Sequence, residues 1–150
     1  MVVTRFLEMY PETTFWFTGH SLGGAIAALM GLRFGFPTVT FESPGERLAA
    51  SRLHILPPST SIPPITHVYN NVDPIALGTC NGRDSICAHG GYAMESRCRV
   101  GRNIVFDLPR TGMPFPLWYH RLETVFELLK DEGRDIPSAV DQGECQVCHV

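Results

Sequence analysis

The chain has 150 residues, of which 44% are hydrophobic and 18% charged, and its formal net charge is -3. This describes one domain with room for a hydrophobic core, and excludes a disordered chain or an acidic tail. A pI near 6.0, with no basic cluster interleaved with aromatics, excludes nucleic acid as the expected partner.

VVTRFLEMY (2–10) reads as a short helix stopped by Pro11. TTFWFTG (13–19) has the β-branched and aromatic content of a buried strand. Ser21 to Phe34 reads as a helix packed on several faces. Its Gly23, Gly24, Ala25, Ala27 and Ala28 permit close approach of neighbouring backbone. PTVTFES (37–43) is a second strand, and a short helix is expected near Glu46 to Ser51. HILPPSTSIPPI (54–65) holds four prolines and reads as a surface loop. ITHVYNN (65–71) is a third strand, and residues 76–101, rich in glycine and cysteine, are expected to be irregular. NIVFDLP (103–109) is a fourth strand. WYHRLETVFELLKDEG (118–133) is an amphipathic helix with Leu122, Val125, Phe126 and Leu129 on one side. Residues 134–150 form a polar, cysteine-containing tail beyond a domain of residues 1–133. Strands alternating with helices indicate an α/β sheet.

The longest apolar run, Ala25 to Phe36, is broken by Arg33 and too short to span a bilayer. MVVTRFLEMYP fails as a signal peptide, because Glu8 and Pro11 interrupt it before an adequate apolar region. Five cysteines point the other way. Cys80, Cys87 and Cys98 lie in one segment and Cys145 and Cys148 at the end, a clustering that suggests disulfides in an oxidising compartment. The expectation is therefore a lumenal protein whose natural N-terminus lies upstream of Met1.

Gly19-His20-Ser21-Leu22-Gly23 fits G-x-S-x-G. In a nucleophile elbow the serine occupies a strained turn between strand and helix, with glycines where the two backbones crowd. The turn lifts the hydroxyl above the sheet edge and aims the helix N-terminus at a developing oxyanion. The bare pattern is weak, and a serine capping a helix is the bland reading. The strand before it and the helix after it favour the nucleophile, with the backbone N–H of Leu22 as an oxyanion donor.

A nucleophilic serine needs a base, and the base an orienting acid, in the chain order Ser, Asp or Glu, His for α/β-hydrolases. Asp73 follows the third strand and precedes Pro74, which holds it extended at a strand end. It fits better than Asp84, inside the cysteine-bounded loop, or Asp107, which ends the fourth strand. An Asx-type turn is the bland alternative for Asp73. His120, at a loop–helix junction, is favoured as base over His89, which follows Asp73 too closely, and over His149 in the tail. His67 precedes Asp73 and reads as a packed strand residue, while His20 adjoins Ser21 and is expected to order the turn.

These residues resemble the class 3 lipases, most of all the fungal autophagic lipases of the vacuole. The resemblance rests on TGHSLGGAIAAL (18–29), VTFESPGERLA (39–49), THVYNNVDPIALGTCNG (66–82), GGYAMESRC (90–98) and YHRLETVFELL (119–129). It implies a partial α/β-hydrolase sheet lacking its N-terminal strands, with nucleophile Ser21, acid Asp73 and base His120. It implies hydrolysis of phospholipid or triacylglycerol esters of vesicle membranes in a vacuolar lumen, without metal or cofactor. It also implies disulfides among Cys80, Cys87 and Cys98, and a C-terminal pair of Cys145 and Cys148. Family members carry an N-terminal membrane anchor, and their lid and second oxyanion donor precede the elbow.

Two rival readings remain. Cys145-Gln-Val-Cys148-His149 fits the C-x-x-C-H pattern of c-type haem attachment, although a disulfide is the plainer reading, and a zinc site would need more ligands. The other rival is a lipase-like chain that binds lipid without catalysis.

Overall fold

The computed structural model describes residues 2–58, 60–79, 84, 86–91, 97–109, 116–142 and 145; of residues 86, 87 and 116 only the backbone is described. A five-stranded sheet carries the fold: β1 (Phe17–His20), β2 (Thr38–Phe41), β3 (Ile65–Asn70), β4 (Arg102–Phe106) and β5 (Val140–Asp141), adjacent in that order. β1 to β4 run parallel, while β5 pairs antiparallel with β4 through Arg102↔Asp141 and Asn103↔Val140.

Parallel neighbours need crossovers. β1 reaches β2 through helix α2 (Leu22–Phe34), and β2 reaches β3 through the short α3 (Arg47–Arg52) and the proline-rich loop. The first helix, α1 (Val2–Met9), buries none of its residues. It is tied to the sheet by an aromatic chain, Phe6 to Phe15 to Phe36, with ring centroids 5.1 and 5.6 Å apart.

Side-chain alternation along β2 separates the two faces of the sheet. Thr38 and Thr40 point at α2, whose Gly24, Ala25, Ala27, Ala28 and Gly31 are buried. Val39 and Phe41 point the other way, onto a core of Val68, Phe106 and Leu128. Leu128 belongs to α5 (Leu122–Lys130), which covers that second face.

Several elements differ from expectation for identifiable reasons. The first strand starts later than residue 13, because the pairing with β2 begins at Phe17↔Thr38 and does not extend to the residues before it. β2 ends at Phe41 because Glu42 turns to φ 45°. Residues 118–133 do not form one helix: a 3-10 turn (Pro116–His120) precedes α5, and Arg121 between them is extended at φ -72°, ψ 142°. The expected irregular segment contains a helical turn, α4 (Ile86–His89). Within residues 134–150, Val140 and Asp141 form β5.

The cysteine pairing inferred from resemblance is corrected. Cys98 bonds Cys145, so the disulfide joins the mid-chain cysteine group to the tail. Cys145 is thus unavailable to Cys148, and a c-type haem linkage through both tail cysteines is excluded. Cys80, Cys148, His149 and the side chain of Cys87 lie outside the described residues. Among the described residues, no helix is long and apolar enough to cross a membrane.

Candidate active site

Ser21 stands between β1 and α2 with φ 56° and ψ -131°, a conformation that L-residues rarely adopt. Backbone hydrogen bonds hold it there. Its N–H donates to the Phe41 carbonyl at 3.0 Å, and its own carbonyl accepts from Gly24 N–H at 2.9 Å. The turn brings helix and strand together so closely that a Cβ at Gly19 would overlap the Gly23 carbonyl. Gly24 is as constrained, its Cβ position lying 2.8 Å from Ser43 Cβ and 2.9 Å from the Gly19 carbonyl. Gly23, expected to share the crowding, does not: a Cβ there would meet no described atom within 4 Å. The requirement in this elbow falls on Gly19 and Gly24. The first-turn N–H groups of Leu22 and Gly23 have no partner within the helix, as at any helix N-terminus.

Asp73 is fully buried, three residues beyond β3. Its two carboxylate oxygens have separate partners. Oδ1 accepts from Ile75 N–H at 2.9 Å, an Asx-type turn, and Oδ2 accepts from His120 Nδ1 at 2.7 Å. The turn reading and the acid reading therefore apply to different oxygens of one side chain. With its Nδ1 proton committed to Asp73, His120 presents the Nε2 lone pair, which lies 2.7 Å from Ser21 Oγ. The extended Arg121 lets His120 end a 3-10 turn facing Ser21 while α5 turns its apolar side to the sheet. His20, the residue before the serine, donates from Nε2 to the His120 carbonyl at 2.8 Å.

The remaining sequence candidates are elsewhere. Asp84 and His89 are exposed, and so is Asp107, whose carboxylate accepts from the Asn71 side chain. His67 is buried in the sheet, where Nδ1 accepts from Thr40 at 2.7 Å and Nε2 donates to the Val100 carbonyl at 3.1 Å. Burial pushes its imidazole down to about 3, so it is neutral in the folded protein. Among the described residues, no group of three or more His, Cys, Asp or Glu side chains could hold a metal ion.

Sequence reading did not anticipate a tier of buried polar residues beneath the site. Glu42 and Asn70 are fully buried at the ends of adjacent strands. Asn70 Nδ2 donates to Glu42 Oε1 at 2.8 Å and to the Tyr119 carbonyl at 3.0 Å, while Asn70 Oδ1 accepts from Val72 and Asp73 N–H groups at 3.0 and 2.9 Å. Arg99 lies over the Tyr69 ring at 4.3 Å and donates from Nη2 to the carbonyls of Ser43 and Ala76. It thereby staples the loop after β2 to the loop that carries Asp73. The signal that could have found Glu42 was a bulky residue at the turn after a strand, where glycine is the easy choice.

The family model for "Lipase (class 3)" matches residues 1–38, the segment that contains the elbow. Three fungal proteins named "Putative lipase ATG15" are similar over much more of the chain. The protein from Mycosarcoma maydis is 51% identical over 79% of this chain and 25% of its own length. That from Cryptococcus neoformans var. neoformans (strain B-3501A) is 53% identical over 79% of this chain and 24% of its own length. The Vanderwaltozyma polyspora protein is 43% identical over 95% of this chain and 26% of its own. The chain is thus similar to class 3 lipases through its elbow segment, and to these relatives over most of its own length. It spans about a quarter of the length of these curated relatives. The parallel sheet with a strand–serine–helix turn is the class 3 lipase version of the α/β-hydrolase architecture.

Proposed function

We propose that this chain carries the reaction centre of a serine esterase acting on long-chain lipid esters. The observation that carries the reading is one continuous relay, Ser21 Oγ to His120 Nε2 at 2.7 Å and His120 Nδ1 to Asp73 Oδ2 at 2.7 Å. Ser21 Oγ attacks the ester carbonyl as His120 takes its proton. Asp73 fixes the imidazole tautomer and stabilises the imidazolium. Leu22 N–H donates to the tetrahedral oxyanion, and its position at the N-terminus of α2 adds the helix dipole. His120 then protonates the leaving alcohol. Water, activated by the same imidazole, hydrolyses the acyl-enzyme.

The surroundings of the serine support this substrate class. A cavity of about 220 Å³ opens beside the elbow, lined by Gly19, His20, Phe41, Leu122, Phe126 and Leu129 among others. It is built mostly of hydrocarbon and suits an acyl chain. Leu22 and Trp118, both exposed, flank the serine and the base in sequence. The relatives' name supports a lipase, and the resemblance of the sequence motifs favours phospholipids or triacylglycerols of vesicle membranes in a vacuolar lumen.

The test is hydrolysis of phosphatidylcholine vesicles and triolein emulsions by the native full-length protein, beside its Ser21→Ala variant. Loss of activity on the order of 10⁴-fold or more is expected. Labelling by a serine-reactive phosphonate should be stoichiometric in the parent and absent in the variant. Lipid binding without hydrolysis or labelling would instead favour the non-catalytic reading.

A further inference from the structure

Glu42 occupies a costly position. Its backbone is in the left-handed region at φ 45°, which glycine adopts freely and a side chain resists, and its side chain is fully buried. Strain of this kind persists where the surrounding structure requires that residue, and it gathers at functional sites. Here the requirement is visible. The Glu42 carboxyl accepts from both the Asn70 N–H (3.1 Å) and Asn70 Nδ2 (2.8 Å), and it lies within hydrogen-bonding reach of the Asp73 carboxyl.

We infer that Glu42 and Asn70 form a positioning unit for the proposed reaction. Asn70 ties the Asp73 backbone to the Tyr119 carbonyl beside His120. Glu42, as a neutral acid, donates a hydrogen bond that holds the Asp73 carboxylate toward His120. The inference rests on the serine-esterase reading and adds two residues to it.

The Asn70 amide has only one workable orientation. Its nitrogen faces two acceptors, Glu42 Oε1 and the Tyr119 carbonyl, and its oxygen faces two donors, the Val72 and Asp73 N–H groups. A flipped amide would lose all four bonds. One side chain thus fixes the loop bearing the acid relative to the turn bearing the base. The Glu42 carboxyl then meets a second fully buried carboxyl, that of Asp73. Two carboxylates in such contact do not both ionise. Both Asp73 oxygens already accept hydrogen bonds, from the Ile75 N–H and from His120 Nδ1–H. Glu42 therefore keeps the proton: burial pushes its carboxyl well above the ordinary range, and contact with Asp73 pushes it further. The groups facing it are Asp73 on the loop after β3, the Asn70 amide, and the Arg99 cation, whose charge acts on Glu42, Glu46 and Asp73 together.

The experiment uses Glu42→Gln, Glu42→Gly and Glu42→Ala in the full-length protein, with kcat, KM and the pH profile of kcat measured beside Ser21→Ala. Glutamine keeps one donor and one acceptor in the same shape. Its kcat is expected to stay within about threefold of the parent, with a superimposable pH profile. Glycine and alanine remove the donor, and glycine also relaxes the backbone at φ 45°. Both are expected to lower kcat by about 10- to 100-fold with KM little changed, because the acid and base lose their relative placement. Parent-like kcat in Glu42→Gly or Glu42→Ala would overturn the inference. So would a glutamine variant as impaired as alanine, or one whose acid limb shifts, since that would mean an ionised Glu42. If neither truncated variant folds, the side chain serves the fold and the positioning role is rejected. Should Ser21→Ala retain activity, the esterase reading itself falls, a result distinct from all of these.

Discussion

His20 Nε2 donates a 2.8 Å hydrogen bond to the backbone carbonyl of His120, a residue 100 positions away, and the two imidazole rings sit 4.9 Å apart. The residue before the proposed nucleophile thus anchors the main chain of the proposed base. The Ser21–His120 separation is therefore set from both sides: by Asp73 through the imidazole, and by the elbow through the peptide. His20→Ala should lower kcat by about 3- to 10-fold, the value of one net hydrogen bond expressed in a barrier, with KM unchanged. Steady-state kinetics and the rate of phosphonate labelling at Ser21 check this. A parent-like labelling rate would show that Asp73 alone is sufficient to place His120.

The two glycines that flank the crowded turn should respond differently from the third. Gly19→Ala forces a Cβ into the Gly23 carbonyl, backbone against backbone, where neither can yield. The expected loss is about 3 kcal/mol or more, the upper end of overpacking. Gly24→Ala should also destabilise, since it meets Ser43 Cβ at 2.8 Å and the Gly19 carbonyl at 2.9 Å. Gly23→Ala finds open space and replaces glycine in a helix, so a gain of about 0.5–1 kcal/mol is expected. Urea midpoints for the three variants decide it. A Gly23→Ala variant less stable than Gly24→Ala would invert the ranking and reject this account of the elbow.

The same contrast shows what a sequence can reveal here. G-x-S-x-G is a local pattern, and the order Ser21, Asp73, His120 follows from chain direction in a parallel sheet, so the residues brought together could be named in advance. Which glycine is crowded depends on where α2 crosses β2, and that is a matter of packing, so Gly24 was not distinguishable from Gly23. Glu42 and Asn70 are polar residues at strand ends and Arg99 is one in the loop before β4, places where polar side chains usually face water. No local pattern says that these turn inward. The Cys98–Cys145 bond was hidden for a related reason, because it depends on β5 lying along β4, and a two-residue strand has almost no periodicity to read.

That disulfide should matter to the whole sheet. It closes a loop of sequence separation 47, for which the chain-entropy estimate is about 4 kcal/mol of stabilisation. It also fixes the tail next to Arg99, whose backbone N–H donates to Gln142 at 2.7 Å. Cys98→Ala and Cys145→Ala should each lower the thermal midpoint, and the double variant should be no worse than either single one. Additive losses in the double variant would mean that the two cysteines do not act through one shared bond.

Stability should also depend on pH through a buried pair, Glu46 and His67. Burial pushes Glu46 up to about 7, opposed by its bond to Val100 N–H and by the Arg99 charge, and burial pushes His67 down to about 3, with the Arg99 charge adding. Their 3.6 Å contact is therefore not an ion pair at neutral pH. The folded state holds the Glu46 proton more tightly than the unfolded chain does, so its contribution is complete below about 4.5 and is lost as pH rises through about 7. His67 acts in the opposite sense. The folded state keeps it neutral while the unfolded chain gains a proton below 6.5, so its contribution is present above 6.5 and is lost as pH falls toward 3. Glu46→Gln removes only the first effect. Between pH 4.5 and 7.5 the parent should lose roughly 3 kcal/mol relative to that variant, at 1.4 kcal/mol per unit. Between pH 3 and 6.5 it should gain relative to His67→Gln. Urea titrations across that range measure both differences, and parallel curves for parent and Glu46→Gln would show that Glu46 ionises as readily folded as unfolded.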